Sequence, residues 1–267
     1  MTIHPTALVA EGAEIHPTAQ IGPYAVIDAQ VAIGEDTEVG AHAVLAGHTS
    51  IGKRNRIHPF ASIGGPPQDL KYQGEDTRVL IGDDNQIREY VSIHRGTVTG
   101  RGVTTVGSGN LLMAYSHIAH DCLVGDQVIM ANGATLGGHV VIGDHVNLSG
   151  MVAIHQFSRV GAFSYIGGMS GISKDVPPFV IATGVRDQLR ITGINKIGLK
   201  RHGFANEDIL TLGRAFTTIF RTNLVLNEAL DKALAEFPDC RLVTELVEFM
   251  RAPNRFGVVR KYDADDQ

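Results

Sequence analysis

The sequence predicts a mainly β chain: a triangular parallel β-solenoid over residues 1–190, followed by a C-terminal α-helical cap over residues 191–267. Three observations carry this. An aliphatic residue returns at every sixth position: from Ile3, Val9 and Ile15 to Ile63, again at Ile81, Ile87 and Ile93, and from Val106 to Ile172, twenty-six times in all. The next residue is commonly glycine, as in Ile21-Gly22, Ile33-Gly34 and Ile142-Gly143. The period ends at Asp175-Val176-Pro177-Pro178, and apolar residues resume at helical spacing.

No helix repeats at six, whereas one hexad supplies one short strand and one corner, so three hexads close a coil and the aliphatic positions stack inward. Residues about eighteen apart thereby become vertical neighbours at the inter-strand spacing of roughly 4.8 Å. Parallel crossovers are right-handed almost everywhere. Six-residue solenoids are the known exception, so a left-handed parallel β-helix is expected from that likeness and from no individual residue. The abundant glycines are expected to serve corners that need permissive backbone angles.

Two insertions interrupt the period, near 64–80 and 94–105. In the first, the hexad positions are Asp69 and Glu75, so Gly64-Gly65-Pro66-Pro67-Gln68-Asp69-Leu70-Lys71-Tyr72 must leave the coil. In the second, Ile93 and Val106 are thirteen apart, which shifts the phase by one. Long ordered loops are usually functional. After Pro177-Pro178, which remove ladder donors, helices are expected over 206–221 with Asn206 as N-cap, over 224–237, and over 240–251.

Composition sets limits. The net charge of -5 is unevenly spread: residues 1–189 carry 11 Lys+Arg against 17 Asp+Glu, residues 190–261 carry 12 against 8, and Asp263, Asp265 and Asp266 end the chain. A basic cap suits an acidic macromolecular partner, but no dense Lys/Arg stripe interleaved with aromatics points to nucleic acid. Cys122 and Cys240 cannot make a disulfide framework, the first hexad starts at residue 3, and no apolar run approaches membrane-spanning length. A cytoplasmic protein without a transmembrane segment is expected. Open-ended prisms of this kind bury their flat faces side by side, commonly around a threefold axis, so a homotrimer is expected, with sites between subunits.

Of the twelve histidines, His4, His16 and His58 share the repeated Ile-His-Pro corner and read as structural. His120, Gly138-His139 and His155-Gln156 fall near eighteen-residue offsets, with His117 at the neighbouring corner. Two chemistries use such a set. Three imidazoles hold zinc with an open position, as in a gamma-type carbonic anhydrase. Alternatively, one imidazole tuned by a carboxylate acts as general base on a hydroxyl that attacks an acyl thioester. Asp121 directly after His120, and Gly138 as a backbone N–H donor to an oxyanion, favour the second. No metal and no cofactor are expected.

The chain resembles the UDP-N-acetylglucosamine acyltransferases that begin lipid A synthesis in Gram-negative bacteria. The resemblance rests on Gln68-Asp69-Leu70-Lys71-Tyr72, Ile93-His94-Arg95-Gly96-Thr97-Val98, His117-Ile118-Ala119-His120-Asp121-Cys122, Gly138-His139-Val140, His155-Gln156-Phe157 and Gly198-Leu199-Lys200-Arg201-His202-Gly203-Phe204. It implies transfer of an (R)-3-hydroxyacyl group from acyl carrier protein to the glucosamine 3-hydroxyl of UDP-N-acetylglucosamine. His120 would be the base, Asp121 its orienting partner and Gly138 the oxyanion donor. Asp69, Lys71, His117, His139, His155, Gln156, Asn195 and Arg201 would bind or position substrate, and Gly168 would line the acyl groove and leave it long. The chain departs from the family pattern at Ile197, where glutamate is usual, and at His202, where a second arginine is usual.

Overall fold

The computed structural model describes residues 2–260. Asp263, Asp265, Asp266 and the end of the expected cap lie outside the described residues. The chain is a left-handed parallel β-helix with C-terminal helices. Each of the twenty-six hexads forms one short strand that contains its aliphatic residue, from Thr2–Ile3 to Gly171–Ile172. The strands stack into three sheets, one per face of a triangular prism. The first face holds Ile21, Val39, Ile57, Leu112 and Leu148, the second Ile27, Ile63, Ile118 and Ile154, and the third Ile33, Ile81, Val124 and Ile142. These side chains point inward and are at most 5% exposed, so the core is the expected single column.

Backbone angles at the corners differ from expectation. The left-handed position falls three residues after the aliphatic and is mostly not glycine: Tyr24, His42, Phe60, Asp121, His139 and Phe157 all have φ between 57° and 65°. Left-handed backbone costs such residues roughly 1–2 kcal/mol each. The corner offsets this by turning its N–H along the solenoid axis, as in His139 N–H to the His120 carbonyl (3.0 Å) and Phe157 N–H to the Gly138 carbonyl (3.0 Å). Gly12, Gly109 and Gly133 do take that position, but more glycines sit directly after the aliphatic, where coils approach too closely for a side chain. A Cβ on Gly34 would lie 2.5 Å from the Gly52 carbonyl oxygen, and one on Gly143 2.6 Å from the Ala162 nitrogen. Steric contact between coils, not φ, requires glycine there.

The same corner geometry aligns side chains coil upon coil. Tyr24, His42, Phe60, Tyr90 and Tyr115 form a stack along the edge between the first and second faces, with ring centroids 5.0–5.1 Å apart. At the edge between the third and first faces a buried amide ladder does similar work: Asn55 Oδ1 accepts from the Asn85 side chain (2.9 Å), Asn85 Oδ1 from the Asn110 N–H (2.9 Å) and Asn110 Oδ1 from the Val128 N–H (2.7 Å). His4 and His16 act locally, each bonding a threonine two residues on.

Register measures the insertions. Ile51 pairs with Ile81, thirty residues on instead of eighteen, and Ile81 with Val106, twenty-five on, so the loops add twelve and seven residues. Both leave from the second face, after Ser62–Gly65 and Ser92–His94. The prolines do not end the solenoid as abruptly as the sequence suggested. Val160 bridges Val176, Ile166 pairs with Ala182 in the strand Val180–Thr183, and an antiparallel strand, Arg190–Ile194, closes the first face. These last strands lack the hexad and were not visible in it.

Among the described residues four α-helices follow: α1 (Lys196–Arg201), α2 (Asn206–Phe220), α3 (Leu226–Glu236) and α4 (Arg241–Arg251). The last three match the expected spans. Asn206 does not cap α2: it is the first helical residue, and the cap position is Ala205, whose backbone is extended. α1 was missed because six residues with only Leu199 buried show no period. Its cap is Asn195, whose Oδ1 accepts the Gly198 N–H at 3.0 Å.

Candidate active site

The edge between the second and third faces carries the histidine cluster. Ile118 pairs with Leu136 and Leu136 with Ile154, so the corner residues fall into columns 120–138–156 and 121–139–157. His120, Gly138 and Gln156 share one column; Asp121, His139 and Phe157 share the next. His155 stands one position before the first column, bonds the Gln156 carbonyl through Nδ1 (3.1 Å) and meets the Phe256 ring edge-on. The single stack expected from the offsets is thus two columns with His155 beside them.

His120 Nδ1 lies 2.9 Å from Asp121 Oδ2. An ionised carboxylate only accepts, so Nδ1 carries the hydrogen and Nε2 keeps its lone pair. Asp121 is almost fully buried (2% exposed) and has no solvent to screen it. The second insertion replaces that solvent. Thr97 donates its hydroxyl (2.6 Å) and its N–H, and the Arg101 and Gly102 N–H groups reach Oδ1 at 2.8 and 3.1 Å. Gly100 is required beneath them, since a Cβ there would lie 2.5 Å from the Asp121 Cγ. Burial pushes the Asp121 carboxyl up, but the bonds from Thr97 and His120 outweigh it and hold it below its ordinary value.

The His120 ring lies over Gly138, where a Cβ would come 2.5 Å from Cε1 and 2.7 Å from Nε2. Among the described residues no acceptor takes the Gly138 N–H, which is therefore available beside the imidazole. His139 sets its ring edge-on to His120 (5.0 Å, 90°) and stacks on Phe157 (4.4 Å, 5°). Burial lowers its pKa; Asp121 opposes that, His120 adds to it, Asp69 opposes and Arg255 adds. The first insertion and the C-terminal segment therefore both act on this corner.

His117 lies one strand before His120 and bonds Ser92 Oγ through Nδ1 (2.7 Å). His94, to which the sequence reading gave no role, packs edge-on against it at 5.0 Å. The seven extra residues of the second insertion, once subtracted, bring Ser92 level with His117, which is the signal that would have found His94. Burial lowers the His117 pKa to about 4, helped by His94 and His120, and burial also lowers that of His94. Both imidazoles are neutral at pH 7.

A pH effect on stability follows. The folded pKa of His117 lies below its unfolded value near 6.5, so the unfolded chain takes the proton first, and stability falls as pH drops from about 6.5 towards 4. Shifts of His94 and His139 act in the same direction. At pH 4.5 the His117 contribution amounts to about 2 kcal/mol. Thermal denaturation at pH 7 and 4.5 should show a smaller acid loss in His117→Gln than in wild type. Equal losses would refute the assignment.

The remaining expected residues lie apart from His120. Asp69 Oδ1 accepts the Lys71 N–H (3.0 Å) in a loop braced by Arg95, whose guanidinium bonds the Tyr72 hydroxyl and the Gly64 carbonyl; the Lys71 side chain is exposed. Gly168 sits at the edge between the first and second faces, where a Cβ would meet only ordinary contacts, the nearest being the Gly150 oxygen at 3.5 Å. Asn195 and Arg201 line a cleft of about 660 Å³ on the first face with His145, Phe163, Ile197 and His202. The Asn195 amide is used structurally, donating to the Phe163 carbonyl (2.9 Å) as well as capping α1, and His202 packs on His145 (4.4 Å). The first face is opposite the His120 edge of the triangle, so one chain does not bring the cleft and His120 together.

Two alternative chemistries fit less well. Cys122 is buried, donates to the Gly137 carbonyl and has its thiol pushed up to about 12, so it is no nucleophile. His120, Asp121 and His139 place ligand atoms within 4.8 Å of one another. A cation there would compete with the Nδ1 hydrogen for an Asp121 oxygen that already accepts the Thr97 hydroxyl. His117 turns its Nδ1 to Ser92, and the zinc-hydratase alternative gains no support from this arrangement. Among the described residues no helix is long and apolar enough to cross a membrane.

Comparison with known proteins agrees with this geometry. Residues 175–259 match the family described as UDP N-acetylglucosamine O-acyltransferase, domain 2, and residues 12–47 and 103–138 match the bacterial transferase hexapeptide family. The acyl-(acyl-carrier-protein)–UDP-N-acetylglucosamine O-acyltransferase of Syntrophobacter fumaroxidans is 51% identical over 260 residues, covering 97% of this chain and 100% of its own. The solved structure of LpxA from Acinetobacter baumannii superposes with a TM-score of 0.90 at 44% identity, over 97% of this chain and 100% of that one. The UDP-N-acetylglucosamine acyltransferase of Francisella novicida does so with 0.94 at 39%, over 99% and 95%. With an imidazole held by a loop-cradled carboxylate, and with this likeness along nearly its whole length, the chain belongs to the acyl-(acyl-carrier-protein)–UDP-N-acetylglucosamine O-acyltransferase family.

Proposed function

We propose that the protein transfers an (R)-3-hydroxyacyl chain from acyl carrier protein to the 3-hydroxyl of UDP-N-acetylglucosamine, the first step of lipid A synthesis. The observation that carries this reading is the His120–Asp121 pair beneath the second insertion, with the Gly138 N–H beside it. His120 Nε2 takes the proton of the sugar hydroxyl as its oxygen bonds to the thioester carbonyl carbon. The carbonyl oxygen becomes an oxyanion that accepts the Gly138 N–H. Collapse breaks the carbon–sulfur bond, and the departing thiolate takes the proton back from the imidazolium. Asp121 stays ionised throughout and steadies the positive ring.

In this reading His117, His139, His155 and Gln156 surround the acceptor, Asp69 and Lys71 approach it from the first loop, and Asn195 and Arg201 of a neighbouring subunit complete the site. A homotrimer supplies that neighbour. It is supported by the opposition of cleft and base within one chain and by the fully exposed Leu70 at the tip of the first loop. The helices after residue 190 form the carrier-docking domain, which fits their excess of Lys and Arg. Two free, buried thiols accord with a cytoplasmic enzyme. The absence of a side chain at Gly168 fits a long acyl chain.

Turnover of UDP-N-acetylglucosamine with a series of (R)-3-hydroxyacyl carrier proteins tests the reading. A 3-O-acylated nucleotide sugar is expected, fastest with the longer donors. Acylation of only an amino-sugar acceptor, or of none, would overturn it.

A further inference from the structure

The segment after α4 returns to the solenoid and presents two side chains to the His120 edge. Asn254 Oδ1 accepts the Gly257 N–H (2.7 Å), and Gly257 takes the φ of +83° that closes the turn. The turn is pinned on its C-terminal side. The Asp175 backbone N–H donates to the Gly257 carbonyl and its carbonyl accepts the Val259 N–H, while its carboxylate ion-pairs with Arg159 at 2.7 Å, and Arg260 donates to the carbonyls of Ile219 and Leu224. At its tip are Arg255 and Phe256. The Arg255 guanidinium lies over Phe157, its Cζ 4.0 Å from the ring centroid, and Phe157 stacks on His139, the ring beside His120. Among the described residues no carboxylate pairs with Arg255.

A guanidinium resting on an aromatic ring still has N–H donors to offer an oxygen acceptor. Here an anchored turn places that cation on Phe157, next to the His139 and His120 rings. We propose that Arg255 binds a phosphate oxygen of one of the two substrates and holds that substrate against the His120 site. The proposal rests on the acyltransferase reading, which supplies two such anions: the diphosphate of the nucleotide sugar and the phosphodiester of the carrier's prosthetic arm. Both offer the paired oxygens that a guanidinium fork matches.

Arg255→Gln keeps length and polarity but removes the charge. Its KM should rise for one substrate by roughly tenfold to a hundredfold, the range of a lost charge-assisted contact, with kcat within about twofold of wild type. The substrate whose KM moves identifies the anion. Arg255→Lys, which retains the charge but not the fork, should fall between. The dissociation constants of UDP-N-acetylglucosamine and of holo acyl carrier protein, measured by calorimetry on the same proteins, need no turnover. A wild type that binds but does not acylate would thus fail the reading and leave this inference tested. Unchanged dissociation constants for both ligands in Arg255→Gln, at an unchanged melting temperature, would overturn it, as would a fall in kcat alone.

Discussion

Replacing His120 with alanine is expected to lower kcat by a factor on the order of 10² to 10⁴ while leaving the melting temperature within a few degrees of wild type. The asymmetry comes from the surroundings of the ring. His120 lies at a corner and donates one hydrogen bond, to Asp121, so truncation removes the base without opening the aliphatic column. Asp121 keeps the donors of Thr97, Arg101 and Gly102 when His120 is lost. Asp121→Ala is the informative contrast. It deprives those donors and the imidazole of their acceptor together, and a buried N–H left without a partner costs about 1–3 kcal/mol. A kinetic defect in the first variant and a kinetic plus folding defect in the second separate base from scaffold. Steady-state rates with thermal melts decide it, and a His120→Ala enzyme retaining a tenth of wild-type kcat would remove His120 as the base.

Most of the solenoid was legible because its determinant is local and repeated. Each hexad states the same choice, and a strand ending at Ile21 has the same reason to form as one ending at Ile142. Where the repeat lapses, sequence reading loses its footing. The strands at Val180–Thr183 and Arg190–Ile194 exist because the last coil offers an unpaired edge, a tertiary cause with no periodic signal. The glycines were rightly tied to the corners but only partly to φ: Gly12, Gly109 and Gly133 are left-handed, whereas at Gly34 and Gly143 the steric demand comes from the neighbouring coil.

The site was legible in proportion to its dependence on the period. His120, Gly138 and His139 were found by counting, and the count missed His155 by one position. The second insertion displaced His94 from the count, yet that insertion is what buries and saturates Asp121. Arg255 was beyond reach. It approaches His139 only because a turn ninety-eight residues after Phe157 folds back onto that ring, and nothing in an Arg-Phe-Gly sequence announces where it will dock.

Gly138→Ala should reduce kcat by on the order of 10² without unfolding the protein, although it adds a single methyl group. The backbone of Gly138 is not left-handed, so alanine is conformationally acceptable there. Space is the obstacle. The added carbon would lie 2.5 Å from His120 Cε1 and 2.7 Å from Nε2, well inside contact distance. The ring yields more easily than the coil, because the neighbouring Gly137 and His139 N–H groups are held in the axial hydrogen-bond ladder. Its retreat stretches the 2.9 Å bond to Asp121 or swings Nε2 out of line with the acceptor hydroxyl. Gly150 occupies the equivalent position of its hexad, two residues after Leu148, at the edge between the first and second faces, and a Cβ there meets nothing closer than the Asn132 oxygen at 3.7 Å. Gly150→Ala is therefore the matched control and should retain near-normal kcat. The pair distinguishes two roles for Gly138, since alanine preserves the N–H proposed to receive the oxyanion and removes only the room for the ring. A Gly138→Ala enzyme as active as Gly150→Ala would mean that Gly138 serves through its N–H alone. A selective loss would mean that the missing side chain is what allows His120 to stand where the hydroxyl arrives.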